Sequence, residues 1–263
     1  MEHTFAICAY KESEYLSECI ESLLAQTEKS LIFIATSTDN EYIRNIAKKY
    51  DIPVCVNPGE GGITQDWNFA LGRATTKYVT IAHQDDIYEP EYTEKIMKAI
   101  KKCKKPIIAF SDYCELRNGK KVRNTKMLKI KRLMLFPLRI KAFWSSKFVR
   151  RRVLSLGDPI CCPAVTFNME NVEKPIFNNH FLCAEDWEAW EKLSKKSGEF
   201  IYLKRPLMCH RIHEESTTSE ALKAGVRIDE NFEMYCKFWP KPVAKFINKY
   251  YTTSEKSNDL SKE

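Results

Sequence analysis

The sequence predicts a mixed α/β fold in which a mainly parallel sheet carries helices on both faces. Short apolar runs of four to six residues alternate with segments whose apolar residues recur at helical spacing, and this succession is unbroken up to Phe110. A strand, a helix and another strand in direct succession favour parallel strand pairs. Of the 263 residues, 44% are apolar, which is ordinary for a chain that folds around a core. Such sheets bind ligands beyond the carboxyl ends of their strands.

The first half is predicted to contain five strands and the helices that connect them. Helical spacing is clearest for Leu16 and Ile20 in the first helix and for Ile43 and Ala47 in the second. The predicted strands are Thr4–Ala9, Leu31–Ala35, Pro53–Val56, Tyr78–Ala82 and Ile107–Phe110, and the predicted helices begin after the caps Ser13 and Asp39 or Asn40, at residue 64 and at Pro90.

The second half is interrupted by a basic segment before strands and a helix resume. Its predicted elements are a strand at Pro163–Asn168, a helix at Trp187–Lys196, and strands at Phe200–Leu203 and Leu207–His210. The polar residues from Thr252 onward predict a frayed tail.

Positive charge is concentrated in one part of the chain, the basic segment (residues 117–152). This segment of 36 residues holds 14 Lys or Arg and no Asp or Glu. Of the 42 basic and 35 acidic residues in the chain, 28 and 35 therefore remain outside it, which gives the rest a net charge of −7 against +7 for the whole. The net charge thus describes an acidic body with a basic insertion.

The sequence predicts a cytoplasmic protein. No apolar run approaches the roughly 20 residues that span a bilayer, and no signal-like segment precedes the first strand. The ten cysteines are scattered without Cys-x-x-Cys spacing, and most have apolar neighbours. This favours buried free thiols over disulfides and gives no support for a zinc site.

Two adjacent carboxylates, Asp85 and Asp86, follow the fourth predicted strand in the run that begins at His83. Such a pair at the end of a buried strand is repulsive unless a cation neutralises it. A Mg²⁺ or Mn²⁺ ion held there would keep positions open for phosphate oxygens. The alternative interpretation is a pair that only caps the next helix.

Two further polar clusters lie in the second half. Glu185 and Asp186 open a predicted helix, where acids favour the helix dipole. One of them could also serve as a general base, which a metal-assisted transfer to a hydroxyl would need. His210, Arg211 and His213 stand close together in a predicted loop and could ligate a metal or contact a diphosphate.

The order of these motifs resembles that of inverting family 2 glycosyltransferases, which have the GT-A fold. The likeness covers most of residues 3–115 and returns at 183–218. Besides the acidic motifs, the matching segments are Ala9-Tyr10-Lys11-Glu12, Ser22-Leu23-Leu24-x-Gln26-Thr27, and Gly61-Gly62-Ile63 with Trp67-Asn68-x-Ala70-Leu71.

The resemblance implies a transfer from a nucleotide-diphospho-sugar to an acceptor hydroxyl with inversion. According to this resemblance, Asp85 and Asp86 match the family's Asp-x-Asp metal motif. Asp186 matches the catalytic base, with Glu185 as the fallback. His213 matches a histidine that closes over the diphosphate or metal. Donor contacts are expected from Tyr10, Glu12, Asp39, Asp66 and Arg211. The expected cofactors are Mg²⁺ or Mn²⁺ and a nucleotide-sugar donor, a UDP-sugar above all.

The sequence departs from the family pattern at several of these positions. Family members carry paired acids after the second strand, whereas here only Asp39 is present. Asp66 stands where many relatives have arginine, Lys11 replaces an asparagine, and His83 replaces the first acid of the metal motif. Asp85 is therefore the expected direct ligand, with Asp86 beside it.

The resemblance and the charge pattern together suggest four parts. Residues 1–115 form the half that binds the nucleotide sugar, 116–160 a basic amphipathic insert, 161–250 the acceptor and base half of the same domain, and 251–263 a flexible tail. The expected role is synthesis of a bacterial-type surface polysaccharide or glycolipid, with a glycan or lipid-linked acceptor.

Several interpretations of the basic segment remain open, and the fold could be that of an active glycosyltransferase or of an inactive one. Its cations alternate with aliphatic residues, as in an interfacial helix on an anionic membrane, which would make the protein peripheral on the inner face of the plasma membrane. It could instead be a helix pair packed on the body, or a module for membrane or nucleic acid on an inactive glycosyltransferase-like fold. Nucleic acid is not expected, because stacking aromatics are few. A nucleotidyltransferase is disfavoured, since residues 9–14 lack glycine.

Overall fold

The computed structural model describes residues 1–213 and 226–256, without the side chains of 226–227 and 251–256, and shows the predicted mixed α/β fold. Its strands are β1 (His3–Ala9), β2 (Leu31–Thr36), β3 (Val54–Val56), β4 (Tyr78–His83), β5 (Ile87–Tyr88), β6 (Pro106–Arg117), β7 (Lys120–Val122), β8 (Val165–Asn168) and β9 (Glu199–Ile212). Its helices are α1 (Leu16–Leu24), α2 (Glu41–Lys49), α3 (Ile63–Arg73), α4 (Tyr92–Ile100), α5 (Lys126–Met134), α6 (Lys147–Leu154), α7 (Glu185–Ser194), α8 (Val226–Cys236) and α9 (Lys241–Lys256).

The strands of the described residues form one sheet in the order β3-β2-β1-β4-β8-β6-β9-β5, with β7 paired to β6. Strands β3, β2, β1 and β4 are mutually parallel. Strand β8 is antiparallel to both β4 and β6, so β6 runs in the same direction as β4, and β9 is parallel to β6. The carboxyl ends of β1, β2, β4, β6 and β9 therefore point the same way.

Helices cover both faces of this sheet, because successive side chains of β1 belong alternately to two different buried clusters. Phe5 and Ile7 belong to one buried cluster, which includes residues of α1, α2 and α4. Ala6 belongs to the other, which includes residues of α3 and α7. Successive side chains of a strand point to opposite faces, so each face has its own core.

The two long strands differ from their predicted lengths. Strand β6 has 12 residues where four were predicted, and β9 is one strand of 14 residues where two short ones were predicted. Polar residues concealed the continuity of β6. The Asp112 carboxylate accepts a hydrogen bond from Arg132 of α5 at 2.6 Å, and that of Glu115 accepts one from Arg117 of the same strand at 2.8 Å, so both charges are compensated.

The chain end also differs from the prediction. Helix α9 continues to Lys256, so the part of the expected tail before that residue is helical. The rest of the expected tail, 257–263, lies outside the described residues. The predicted cap of α2 is confirmed, since the Asn40 side chain accepts a hydrogen bond from the Ile43 amide at 2.9 Å. Helix α1 begins at Leu16, after Tyr15 rather than after Ser13.

The basic segment is largely helical and has both buried and exposed large side chains. It includes α5, short 3₁₀ turns at Phe136–Arg139 and Lys141–Phe143, and most of α6. Part of it packs into the body: Leu138 is fully buried, and the buried guanidinium of Arg150 donates to the carbonyls of Lys196 and Gly198.

Two of the ten cysteines do not match the free-thiol prediction. Cys114 and Cys209 form a disulfide, while the other eight are in no disulfide. They are direct partners in the parallel register of β6 and β9, a proximity that their separation of 95 residues along the chain conceals.

Within the described residues, no helix combines the length and the apolar character that crossing a membrane requires.

Candidate functional site

The predicted site residues of the first half follow the carboxyl ends of β1, β2 and β4. Tyr10 and Glu12 come after β1, Asp39 after β2, and the acidic pair after β4. The end of β9 reaches the same edge, because residues at its carboxyl end pair with β5 directly after the acidic pair. The fold thus unites motifs that lie more than 120 residues apart.

Asp85 meets the end of β9 through its side chain and its backbone. Its Oδ2 lies 2.8 Å from His213 Nε2, and its carbonyl oxygen accepts a hydrogen bond from Arg211 Nε at 2.7 Å. Burial alone would raise the pKa of the Asp85 carboxyl, but the hydrogen bond from His213 and the nearby His83, His210 and His213 lower it below its usual value. The carboxylate is thus held in its charged form.

Arg211 is anchored beside the same pair. Its guanidinium forms an ion pair with Glu18 and lies 4.1 Å from the centroid of the Tyr15 ring. The His213 ring lies 5.4 Å from that of Tyr15. The first helix therefore contributes to the placement of both residues that sequence analysis expected near a diphosphate.

Asp86 is fully buried and joins two elements. Its Oδ1 accepts hydrogen bonds from the Arg211 amide at 2.9 Å and pairs with His210 Nδ1 at 3.0 Å. Burial would lower the pKa of His210, but the charge of Asp86, their hydrogen bond and the charge of Asp85 raise it to about 9. An imidazolium at this position compensates the buried carboxylate.

His83, Asp85 and Asp86 form a cluster suited to a divalent cation. One ligand atom from each lies within 4.8 Å of the others. Asp86 Oδ2 and His83 Nε2 are buried and have no hydrogen-bond partner among the residues that the structure describes, and a cation would supply one. The His83 ring stacks on Trp67 at 5.2 Å, so its orientation is fixed by packing. Sequence reasoning treated His83 as a lost acid, although its place as the last residue of β4 was a usable signal.

Asp66 lies under the glycine turn rather than on the open surface. Its two carboxylate oxygens accept hydrogen bonds from Ser37 Oγ at 2.7 Å and from Asn57 Nδ2 at 2.8 Å. A Cβ on Gly61 would lie 2.8 Å from Ser37 Oγ, so the turn can approach β2 this closely only with glycine. Asp66 thus holds the loops after β2 and β3 in place.

The remaining predicted donor contacts lie on the surface of this edge. The Tyr10 backbone exchanges two hydrogen bonds of 3.0 Å with the Gln84 amide, and its ring is 52% exposed. Glu12 is also exposed, whereas Asp39 forms an ion pair with Arg44. Tyr10 and Glu12 are therefore displayed to solvent, and Asp39 already has a partner.

The second acidic pair begins α7 and lies near a third carboxyl that sequence analysis did not single out. Glu185 is buried, while Asp186 is partly exposed and accepts a hydrogen bond from the Trp187 amide at 2.8 Å. Burial and the charge of Asp186 raise the pKa of the Asp158 carboxyl, which follows α6. Nothing in the linear pattern marked Asp158, since it stands alone between apolar residues.

Both acidic regions influence Cys161. Burial raises the pKa of its thiol, and the charges of Asp86, Asp186 and Asp158 raise it further, while Lys131 opposes them. The acidic pair after β4, the acid at the start of α7 and a cation of the basic segment are therefore close enough to act on one side chain. Such a set of groups could bind a metal diphosphate and accept a proton.

Comparison with known proteins supports this interpretation. The model of the family described as Glycosyl transferase family 2 matches residues 4–174. An uncharacterized glycosyltransferase of Haemophilus influenzae is 24% identical over 224 residues, which are 81% of this chain and 66% of that protein. One of Rickettsia prowazekii is 25% identical over 246 residues, covering 89% of this chain and 70% of that protein. The chain thus spans about two thirds of the length of the curated relatives it matches.

Solved structures share the fold. The structure of S. aureus TarS in complex with UDP-GlcNAc superposes with a TM-score of 0.66 at 15% identity and covers 100% of this chain and 74% of that one. The mannosyltransferase PcManGT of Pyrobaculum calidifontis, in complex with GDP-Man and Mn²⁺, gives 0.61 at 13% identity and covers 95% and 69%. At these identities the likeness concerns the fold, which is of the GT-A type.

Proposed function

The chain belongs to glycosyltransferase family 2, and on that premise we propose that it transfers a sugar from a nucleotide-diphospho-sugar to an acceptor hydroxyl with inversion at the anomeric carbon. The observation that carries the proposal is that Arg211 and His213 contact Asp85 after β4, while the charges of Asp86 and Asp186 both act on Cys161. Transfer with inversion in one displacement needs both a stabilised leaving diphosphate and a base for the attacking hydroxyl.

The donor would lie across the carboxyl ends of β1, β2 and β4. Tyr10 and Glu12 are exposed there and would face the nucleoside, with Asp39 reaching the ribose if it exchanges its ion pair with Arg44. Asp66 would act by holding the loop that carries Ser37, since both its oxygens are engaged. A UDP-sugar is the proposed donor, in line with the UDP-GlcNAc bound to TarS.

Asp85, Asp86 and His83 would hold Mg²⁺ or Mn²⁺, with His213 adjoining through Asp85. Bound there, the cation supplies electrostatic and Lewis-acid stabilisation of the departing diphosphate. The Mn²⁺ in the PcManGT complex supports this choice of ion. Arg211 adds a fixed positive charge whose placement depends on Glu18 and Tyr15.

Asp186 would accept the proton of the acceptor hydroxyl. It is the more exposed member of its pair, whereas Glu185 is buried and is the fallback base. The acceptor would approach from the side of α5 and α7. A phosphate-bearing glycan or glycolipid of a bacterial-type surface polysaccharide pathway is the proposed acceptor, because Lys131 of the basic segment acts on the carboxyls of this side.

The basic segment would also hold the protein on an anionic membrane as a peripheral protein. Its outer face exposes Leu133, Phe136 and Phe148, with exposed fractions of 74%, 56% and 70%. Apolar side chains among cations are typical of interfacial binding. Other large aliphatic residues of the segment pack into the body. The packing interpretation therefore describes its buried side chains, and the membrane interpretation concerns its exposed ones.

The test is sugar transfer by Asp186→Asn and Glu185→Gln, measured with a panel of nucleotide-sugars and Mn²⁺. We expect Asp186→Asn to lower kcat by ~10²–10⁴-fold, which is the range that general-base catalysis supplies, because the amide cannot accept a proton. Asp51→Asn is the matched control: Asp51 is an exposed aspartate at the end of α2 with positive φ, which asparagine tolerates.

Two outcomes would count against the assignment. If Glu185→Gln alone abolished transfer, the base would be Glu185. If wild-type protein turned over no nucleotide-sugar in the panel, or if both variants kept transfer within tenfold of wild type with the fold intact, the proposed function would be wrong.

A further inference from the structure

We propose that a cationic groove between α4 and β9 binds the headgroup of an anionic phospholipid. The groove has a volume of about 510 Å³ and is lined by α4 and the turn after it, by the middle of β9 and by the 3₁₀ turns of the basic segment. This inference rests on the membrane association proposed above, to which it adds a defined lipid site.

The lining of the groove carries seven cations and no acid among the residues that the structure describes. Three lysines come from one face of α4 and the turn after it, where they are spaced three and four residues apart. The basic segment adds Arg139 and Lys141, and β9 adds Lys204 and Arg205. Like charges this close together repel each other, so the groove would stabilise an anion that entered it.

Protein carboxylates compensate only part of this charge. Glu91, directly before α4, forms ion pairs with Lys95 and Arg205. The other five lining cations form no ion pair with an acid within residues 1–213 and 228–250. Of these five, Lys98 and Lys204 are exposed, so their ammonium groups are available to a ligand.

An irregularity of β9 places two of the cations at the groove. Successive residues of β6 pair with Leu203 and Pro206, so Lys204 and Arg205, which lie between them, have no partner in β6. They form a bulge, and both are exposed. Bulges change the direction of side chains along a strand, and this one adds two charges to the groove.

The groove is separate from the proposed metal cluster. Arg205 precedes Arg211 by six residues in β9, which in an extended strand corresponds to roughly 20 Å. Arg211 is the residue that contacts Asp85. The bulge cations therefore lie too far along the strand to bind the same diphosphate, and they need another ligand.

The rest of the lining is mainly apolar. It consists of Ala99, Trp144, Leu203 and Leu207 together with Tyr202. The Tyr202 hydroxyl is buried and has no hydrogen-bond partner in the described part of the chain, and an acceptor in the groove would satisfy it. Cations next to apolar surface suit a ligand whose phosphate adjoins hydrocarbon.

The surface beside the groove indicates where such a ligand comes from. Phe136, Ile140 and Phe143 have exposed fractions of 56%, 49% and 38%, and they alternate along the chain with the lining residues Arg139 and Lys141. Exposed apolar side chains among cations are typical of interfacial binding. Because phospholipids hold their phosphates at this boundary, a membrane that receives these side chains would also bring a headgroup to the groove.

Two other occupants fit the groove less well. A single-stranded nucleic acid needs exposed rings on which its bases stack, whereas Tyr202 is buried and Trp144 is only partly exposed. An extended peptide could add to a strand edge, but this part of β9 carries Lys204, Arg205 and Pro206. Charged residues and proline at a strand edge oppose the addition of another strand.

The test is calorimetric titration of the full chain at low salt with dihexanoyl phosphatidic acid, kept below the concentration at which it forms micelles. We expect saturable binding of one lipid per chain that added salt weakens. Dihexanoyl phosphatidylcholine, which has the same acyl chains but no net charge, should not bind measurably. Glycerol 3-phosphate, which lacks the acyl chains, should bind at least about tenfold more weakly.

The double variant Lys98→Gln, Lys204→Gln should weaken binding of dihexanoyl phosphatidic acid at least about tenfold, because it removes one cation from α4 and one from β9. Both lysines are exposed, so its Tm should stay within about 2 °C of that of wild type. Lys48→Gln, Lys241→Gln removes two exposed lysines outside the groove and is the matched control, which should bind as wild type does.

Equal binding by the two double variants, or no saturable binding by wild type, would overturn the proposal. So would tighter binding of glycerol 3-phosphate or of a thymidine oligonucleotide than of the lipid, since the ligand would then be a soluble phosphate or a nucleic acid. A protein that transfers sugar and floats with vesicles but fails this titration would lose only the lipid site. A protein that passes the titration but transfers no sugar would keep this site and overturn the proposed function.

Discussion

At the scale of single residues, adjacent aspartates of one motif have different surroundings and different roles. Asp85 is partly accessible and contacts His213, whereas Asp86 is fully buried and holds the backbone and imidazole of β9. The sequence predicted Asp85 as the direct metal ligand, with Asp86 beside it. In the structure the Asp85 carboxylate contacts His213, and the Asp86 carboxylate ties the segment after β4 to β9.

Asp85→Asn and Asp86→Asn should therefore differ. Asp85→Asn is expected to weaken Mn²⁺ binding, measured by calorimetry with UDP present, by about tenfold or more, with little change in stability, because the lost charge faces the site. Asp86→Asn should also lower the free energy of unfolding by ~1–3 kcal/mol, since His210 and the buried site lose their compensating charge. Equal stability of the two variants in EDTA would contradict this division.

At the scale of elements, the basic segment distributes its charge between the fold and the surface. Arg132 pairs with Asp112, Arg151 with Glu191, and buried Arg150 binds two carbonyls. These cations stabilise the body, and only the remainder is available to a partner. The Lys131 ammonium lies 5.5 Å from the centroid of the Tyr113 ring, and its charge lowers the pKa of Asp158 against the effect of burial. The segment is thus part of the proposed acceptor side as well as an outer surface.

The outer surface is tested by flotation with liposomes. Wild type should float with vesicles of phosphatidylcholine and an anionic lipid at low salt, and less at high salt. The double variant Phe136→Ser, Phe148→Ser should lower the bound fraction at least about threefold, because two exposed phenyl groups no longer enter the interface. Phe246→Ser, which removes another exposed phenylalanine from α9, is the matched control. Salt-insensitive binding, or binding unaffected by the double variant, would contradict the membrane proposal.

At the scale of the whole molecule, the sheet is held together at its centre by buried polar contacts as well as apolar cores. His3 of β1 is buried and forms hydrogen bonds with Thr80 of β4 at 2.9 Å and with Ser30, before β2, at 2.8 Å. Burial lowers the pKa of His3 to about 3. The neutral imidazole therefore belongs to the folded state.

This predicts a pH-dependent loss of global stability. Because the folded pKa lies below the unfolded value of about 6.5, the stabilising contribution is complete above pH 6.5 and is lost as pH falls toward 3, by about 1.4 kcal/mol per pH unit. His3→Asn should be less stable at pH 7 but show a shallower loss down to pH 5 in urea unfolding. Parallel profiles for the two proteins would show that His3 does not titrate on unfolding.

Several features of this protein followed from the order of its residues alone. Alternating apolar periods predicted the α/β succession, because local spacing decides which residues can share a helix face or a strand face. Motif order predicted that Asp85, Arg211 and His213 serve one site, and the structure brings them together. The sequence also offered Asp39 and Asn40 as caps of α2, and the structure shows Asn40 in that role, whose geometry involves only neighbouring residues.

Other features were decided only by the tertiary structure, because they depend on pairs of residues that are distant in the chain. The partnership of Cys114 and Cys209 follows from strand register, and the length of β6 from charges compensated by Arg132. Burial and packing against Trp67 made His83 part of the metal cluster. Burial and the charge of Asp186 raise the pKa of Asp158, and such a shift depends on surroundings that no local pattern contains.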